Sequence, residues 1–263
     1  AMFQLIDTHC HLYSLDRAPV EELVAHALRC QVTRIISIGA GSGAESAFSS
    51  VALADRFESV YASVGIHPHD AKDHTTLDAV APLLHHPKVV AVGETGLDFF
   101  RDWAPVDRQH ALFEHSIEVA KQLKKPLIIH CRDAERETIE TLTRLDARSV
   151  GGVFHCYAGD AALAKRLVDL NFIVSITGTL TFKRADALRE TARAIPLERI
   201  MLETDAPYMA PEPFRGQPSE PAHVLQIALK LAEVKGISIE EVARVTSANA
   251  ERLFGLPALH QEL

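Results

Sequence analysis

The sequence predicts an α/β protein, a single (β/α)8 TIM barrel spanning residues 1–263. Three observations predict it. Short apolar runs recur eight times along the chain. Amphipathic helical patterns lie between them, and strands that alternate with helices build a parallel sheet. Eight such units in 263 residues match the size of a closed barrel. A doubly wound open sheet is the alternative that the same rhythm allows.

The elements follow in order. FQLID (3–7) is the first strand and runs into His9, Cys10 and His11. On a strand, side chains i and i+2 share a face, so the two imidazoles converge, with Asp7 one step deeper. PVEELVAHALRC reads as a helix, RIISI (34–38) as the second strand and VYASV (60–64) as the third, leading to His67 and His69 in GIHPH. KVVAV (88–92) is the fourth and closes with Glu94 in VGETGLD. After the helix DRQHALFEHSIEVAKQLKK, PLII (126–129) closes with His130 and GVFH (152–155) with His155. DAALAKRLVDL and ADALRETARAI are helices on either side of NFIVS (171–175), the seventh strand. RIML (199–202) is the eighth and leads to Glu203 and Asp205 in LETDAP. The Pro-rich loop 204–221 is long for a βα connection, and such loops are often functional. The tail reads as two or three helices, with Gly236 ending one and Ser238 capping the next, Glu241 completing a capping box.

Composition excludes some functions. The net charge of −8 argues against a broad basic surface that grips long duplex DNA by counterion release. It leaves room for a strand that enters a small, metal-loaded site by one end. No apolar stretch approaches the roughly 18 residues needed to cross a membrane. Ala1 before Met2 reads as a cloning remnant, and MFQLIDTHCH lacks the features of a signal peptide. Four cysteines lie far apart without a C-x-x-C pair, which predicts a cytoplasmic chain with reduced thiols. Cys10, Cys131 and Cys156 each adjoin a candidate ligand, so they should face the other way, as small apolar residues between sheet and helices.

Barrels of this kind carry their active sites at the C-terminal ends of the strands. There the sequence places His9, His11, Glu94, His130, His155 and Asp205. Any one strand-end histidine is more often an ordinary hydrogen-bonded group. Six metal-compatible side chains at one end point instead to a metal site. Six are too many for one ion with an open position, and suit two divalent ions sharing a bridging carboxylate. Glu94 is the candidate bridge, with His9, His11 and Asp205 on one ion and His130 and His155 on the other. His26, His74, His85, His86, His110, His115, His223 and His260 fall on helical or loop stretches and read as solvated. Two adjacent ions can activate a bridging water, with Asp205 able to accept its proton. Asp205, Glu94 and Glu203 are therefore the candidate catalytic carboxylates, and the reaction class is metal-assisted hydrolysis. His67, Arg101, Arg132, Lys183 and Arg215 lie in βα loops and suit a phosphate ester, although single loop cations are commonly just solvated. Phe99, Phe100, Trp103, Tyr157, Phe182 and Tyr208 lie there too, able to stack on unpaired bases or simply to cover the barrel mouth.

From IDTHCHL to ANAERLFGL the chain resembles the TatD family of metal-dependent deoxyribonucleases. The resemblance rests on VGETGLDFFRD (92–102), KPLIIHCRDA (125–134), GGVFHCYAG (151–159), TGTLTFKRADALRE (177–190) and LETDAPYMAP (202–211). It implies a (β/α)8 barrel, two divalent ions and hydrolysis of DNA phosphodiesters, often from the 3′ end of single strands. It gives metal-ligand roles to His9, His11, Glu94, His130, His155 and Asp205. Histidine-rich ligation leans toward Zn2+ or Mn2+, and family habit points to Mg2+. The chain departs from the family in RGQPSEP, where Gln217 and Ser219 stand in place of the usual Lys and Asn. The expected partner is single-stranded DNA or another nucleic-acid end, with neither a membrane nor an obligate protein partner. The ligand layout also matches the wider amidohydrolase barrels. Rival readings are thus a small-molecule amidohydrolase, phosphotriesterase or lactonase, a D-aminoacyl-tRNA deacylase, and a metal-binding barrel without catalysis.

Overall fold

The computed structural model describes residues 3–259. His260, expected to be solvated, lies outside the described residues. Eight strands form one sheet in sequence order. They are β1 (Leu5–Cys10), β2 (Val32–Gly39), β3 (Val60–Val64), β4 (Val89–Asp98), β5 (Leu127–Arg132), β6 (Gly152–Phe154), β7 (Phe172–Ile176) and β8 (Ile200–Leu202). All seven neighbouring pairs are parallel. This order fits a barrel and not a doubly wound sheet, whose strand order reverses at a switch point.

The seam between first and last strands is closed by the segment that follows β8. His9 O accepts from Asp205 N at 2.8 Å, and His11 N donates to Ala206 O at 2.9 Å. Thr8 Oγ1 donates to Leu202 O at 2.9 Å. Asp7, fully buried, accepts from Thr204 N at 3.0 Å and from Thr204 Oγ1 at 2.6 Å. Burial pushes its carboxyl up to about 8 despite these bonds. Asp7 therefore fastens the seam.

Among the described residues eight α-helices accompany the strands: α1 (Val20–Arg29), α2 (Glu45–Arg56), α3 (Val106–Leu123), α4 (Glu135–Arg144), α5 (Ala161–Asp169), α6 (Asp186–Ala194), α7 (Val224–Lys235) and α8 (Ile239–Phe254). None follows β3, where two short 3-10 turns, Pro68–Lys72 and Asp78–Leu83, replace it. Pro68 and Pro82 sit inside those turns, and proline denies a longer helix its backbone donors. Gly236 ends α7 with φ +64, and Ser238 Oγ accepts from Glu241 N at 3.1 Å. Glu241 itself turns to Arg244, so only half of the predicted capping box forms.

Strand alternation sorts the apolar side chains into two clusters. Leu5, Ile35, Leu127 and Phe172 face outward and pack with Ala27, Phe113, Ile117 and Leu167 of the helices. Each such Leu, Ile or Phe side chain contributes about 1.5–3 kcal/mol when fully buried. Ile6, Ile36, Ile38, Ile128, Val153 and Met201 fill the barrel with Phe254 and Leu256. Arg34, 1% exposed, holds this end shut by donating to Pro257 O at 2.8 Å and pairing with Glu251. With this end sealed, the cavity opens at the C-terminal ends of the strands.

Two readings need correction. β4 runs past Glu94 to Asp98, with a register shift between Gly93 and Thr95. At Gly96, φ +141, a Cβ would stand 1.9 Å from the His130 carbonyl oxygen, so only glycine lets the strand continue beside β5. His223 is buried, stacked on Phe214 with centroids 4.4 Å apart. Its Nδ1 lies 3.1 Å from Ser219 Oγ, and burial pushes its pKa down to about 4. No helix among the described residues is long and apolar enough to cross a membrane.

Candidate metal centre

A cavity of about 670 Å3 opens at the strands' C-terminal ends. Its floor is built around Glu94, 2% exposed. One carboxylate oxygen, Oε1, lies 3.4 Å from His9 Nε2 and 3.8 Å from His11 Nε2. The other, Oε2, lies 2.9 Å from His130 Nδ1 and 3.4 Å from both His67 Nε2 and His155 Nε2. Asp205 Oδ1 completes the first group, 3.4 Å from His9 Nε2 and 3.3 Å from His11 Nε2. Asp205 has φ +57, a left-handed conformation that Asp tolerates. Its backbone closes the seam with His9 while its side chain faces the same imidazole.

His9 tests whether these residues fit a divalent ion. It is 1% exposed, and neither ring nitrogen has a hydrogen-bond partner. A buried polar atom left so costs about 1–3 kcal/mol. Donor atoms about 2.0–2.2 Å from one tetrahedral ion stand about 3.3–3.6 Å from each other, which is the spacing found around His9 Nε2. The residues fit. His9, His11 and Asp205, with Glu94 beside them, could hold one ion, and His67, Glu94 and His130 a second, with His155 also 3.4 Å from Glu94.

The local charge agrees. Burial alone would raise the Glu94 carboxyl, but the surrounding imidazoles and the hydrogen bond from His130 hold it well below the usual carboxylate range. Burial would likewise raise Asp205, and the imidazoles of His155, His11 and His9 keep it down. His155 shows the converse. Burial disfavours its charged form, yet Glu203, Glu94 and Asp205 outweigh that and push it up to about 10. The pocket favours positive charge.

Comparison with known proteins decides what kind of barrel this is. Residues 6–255 match the family model described as TatD related DNase. The chain belongs to the TatD family. It is 38% identical over 256 residues to the uncharacterized metal-dependent hydrolase YabD of Bacillus subtilis (strain 168), covering 95% of this chain and 98% of that one. It is 32% identical over 243 residues to the 3′-5′ ssDNA/RNA exonuclease TatD of Citrobacter koseri, covering 90% and 93%. The crystal structure of YJJV, a TatD homolog from Escherichia coli K12, superposes with a TM-score of 0.87 at 32% identity, covering 98% and 100%. An organophosphorus hydrolase from Deinococcus radiodurans, at 16% identity and a TM-score of 0.63, shares the fold. The protein is thus a metal-dependent hydrolase of the TatD family.

Around the centre of this TatD-family hydrolase stand residues that sequence reasoning missed. Asp98, fully buried, accepts from His130 Nε2 and from His69 Nε2, both at 2.8 Å, on the single oxygen Oδ2. Burial opposes its charge, but these two histidines keep its carboxyl well below the usual range. With an ion bound, Asp98 would keep the His130 proton on Nε2 and leave the Nδ1 lone pair for the metal. The signal was present. Residues 94, 96 and 98 share a face once β4 is allowed its full length. Asp98→Asn should lower divalent-ion affinity and turnover about 10–100-fold, the usual effect of losing such a partner. Competition against a chromogenic chelator measures the affinity, and wild-type occupancy in the variant would remove Asp98 from this role.

Glu203 lies behind the rings and outside the cavity. Its Oε1 accepts from His155 Nδ1 at 2.9 Å, and its Oε2 stands 3.7 Å from His9 Nδ1. The rings of His9 and His155 stack at 3.6 Å. A group so placed orients the His155 imidazole, stands beside His9 without a hydrogen bond to it, and does not reach a substrate. Of the candidate substrate residues, His67 and Arg132 line the cavity, while Arg101, Lys183 and Arg215 lie beyond its lining. Arg215 covers the Phe182 ring at 3.8 Å. Tyr157 is buried with its hydroxyl on Asp160 O, and Phe99 packs against the main apolar cluster, so neither offers a face for stacking. Cys10 is buried as expected. Cys131 packs partly buried against the main apolar cluster but also touches the cavity, and Cys156 lines it outright, because β6 ends at Phe154 and alternation stops there. The departure from the family at Ser219 faces inward, toward Pro207 O and His223.

Proposed function

We propose that this TatD-family hydrolase cleaves phosphodiester bonds of single-stranded DNA, removing nucleotides from the 3′ end, with two divalent ions (Mg2+, Mn2+ or Zn2+) in the cavity. One observation carries the two-ion reading: the two oxygens of Glu94 face separate sets of imidazoles. His9, His11 and Asp205 would hold the first ion, His130 and His155 the second, and Glu94 would bridge them. The DNA substrate is supported by the family's description and by the name of the Citrobacter relative.

Ions bound there would supply a water ionised at neutral pH and would neutralise charge on the phosphate. The chain's own residues do the rest. Asp205, kept ionised by its neighbours, accepts the proton of the attacking water on its carboxylate. Arg132, on the cavity wall, can pair with a phosphate oxygen. Glu203 and Asp98 hold His155 and His130 in single tautomers, so no rotation is needed when substrate arrives. The four free cysteines support a reducing, cytoplasmic setting.

Degradation of a 5′-labelled single-stranded DNA oligomer by metal-stripped protein, with each ion added back in turn, tests the reading. A ladder of fragments that depends on metal and shortens from the 3′ end is expected. No cleavage with any ion, by protein that holds two ions, would sink it in favour of a small-molecule substrate.

A further inference from the structure

The loop between β4 and α3 carries large apolar side chains into solvent. Trp103 is 56% exposed and Phe100 47%. They do not stand alone. The Arg101 guanidinium lies over both rings, 4.9 Å from the centroid of Phe100 and 5.3 Å from that of Trp103. Arg132 covers Phe100 at 3.7 Å. Rings and cations therefore alternate in space, Trp103, Arg101, Phe100, Arg132, and both ends of the series line the metal cavity or its wall. Arg136, Arg144 and Arg189 pair with Glu137, Glu114 and Asp186, whereas Arg101 and Arg132 have no carboxylate partner among the described residues.

The series is set in place by the protein itself. Asp98 Oδ1 accepts from Phe100 N at 3.0 Å and from Arg101 N at 3.3 Å. Phe99 N donates to Arg132 O at 2.9 Å, tying the loop to the end of β5. The Trp103 ring meets His69 edge-on at 4.6 Å, and His69 is held by Asp98. Binding would therefore spend little entropy on ordering this loop.

Exposed rings take the faces of unpaired bases, and guanidinium groups between them take phosphates. A duplex keeps its base faces inside the stack and could use only the cations, on a chain whose net charge is −8. We infer that the β4–α3 loop is a nucleotide track, in which an unpaired base beside the cleaved linkage stacks on Trp103 while Arg101 and Arg132 hold the adjoining phosphates. The inference deepens the nuclease reading and rests on it.

Trp103 is the chain's one tryptophan, so its fluorescence reports on the track directly. The experiment titrates metal-loaded protein with a hydrolysis-resistant phosphorothioate oligothymidylate, and with an abasic oligomer of equal length and charge. Oligothymidylate should quench Trp103 saturably, and the abasic oligomer should bind roughly tenfold more weakly without quenching. Trp103→Leu should weaken oligothymidylate binding by a similar factor, read by anisotropy of a labelled strand, and Trp103→Tyr should restore most of it. Unchanged Trp103 emission at saturating oligothymidylate, or equal affinity in Trp103→Leu, overturns the track. DNA cleavage by a protein whose Trp103 stays silent would overturn the track alone. Quenching without cleavage by any ion would support the track and overturn the nuclease reading alone.

Discussion

Glu94→Ala is expected to bind fewer than two divalent ions and to lose turnover by about a thousandfold or more. The carboxylate offers an oxygen to each group of imidazoles, so its removal takes a ligand from both. It also removes the charge around which His67, His130 and His155 gather. Ion content by elemental analysis, measured beside oligonucleotide degradation, separates this from a loss confined to chemistry. Glu94→Gln keeps the shape and one acceptor oxygen, and should fall between wild type and Glu94→Ala in ion content. Wild-type turnover in Glu94→Ala would exclude Glu94 as the bridge.

Asp205→Asn is expected to lower kcat about 10²–10⁴-fold, the range for losing a positioned proton acceptor. The seam should survive, because it is the backbone of Asp205 that bonds to His9 O. Thermal unfolding close to wild type, together with the fall in kcat, would mark the defect as chemical. A metal-replete Asp205→Asn protein with wild-type kcat would leave the proton without its proposed acceptor. A large drop in melting temperature would assign the side chain to closing the barrel.

The eight strands could be read from the chain because each apolar run is buried on both faces and bounded by turn residues. The convergence of His9, His11, Glu94, His130, His155 and Asp205 followed from one rule, that barrel strands end at a common mouth. What stayed hidden depended on contacts between distant residues. Gly93 and Gly96 look like the end of a strand, since glycine is a poor strand former. They continue it because the His130 carbonyl comes too close for any side chain at Gly96. That misplaced end concealed Asp98, and with it the histidine pair that Asp98 joins. The placing of His67 beside Glu94, rather than out in a loop, depended on how the turn after β3 folds back. His223 looked solvated because nothing local in the sequence shows that Phe214 lies flat against it.

The seam sets an order of events for the growing chain. Asp7 and Thr204 stand 197 positions apart, and Thr8 and Leu202 stand 194 apart. Closing so long a loop costs little more than closing a short one, since each doubling adds only about 0.6 kcal/mol. The delay is kinetic, because contacts this far apart form late. While the chain emerges from the ribosome, His9 and His11 wait beside a gap for Asp205. A chain stopped anywhere before residue 205 lacks that neighbour, so a truncated product leaves the ribosome with at most five of the six side chains and with its barrel seam open.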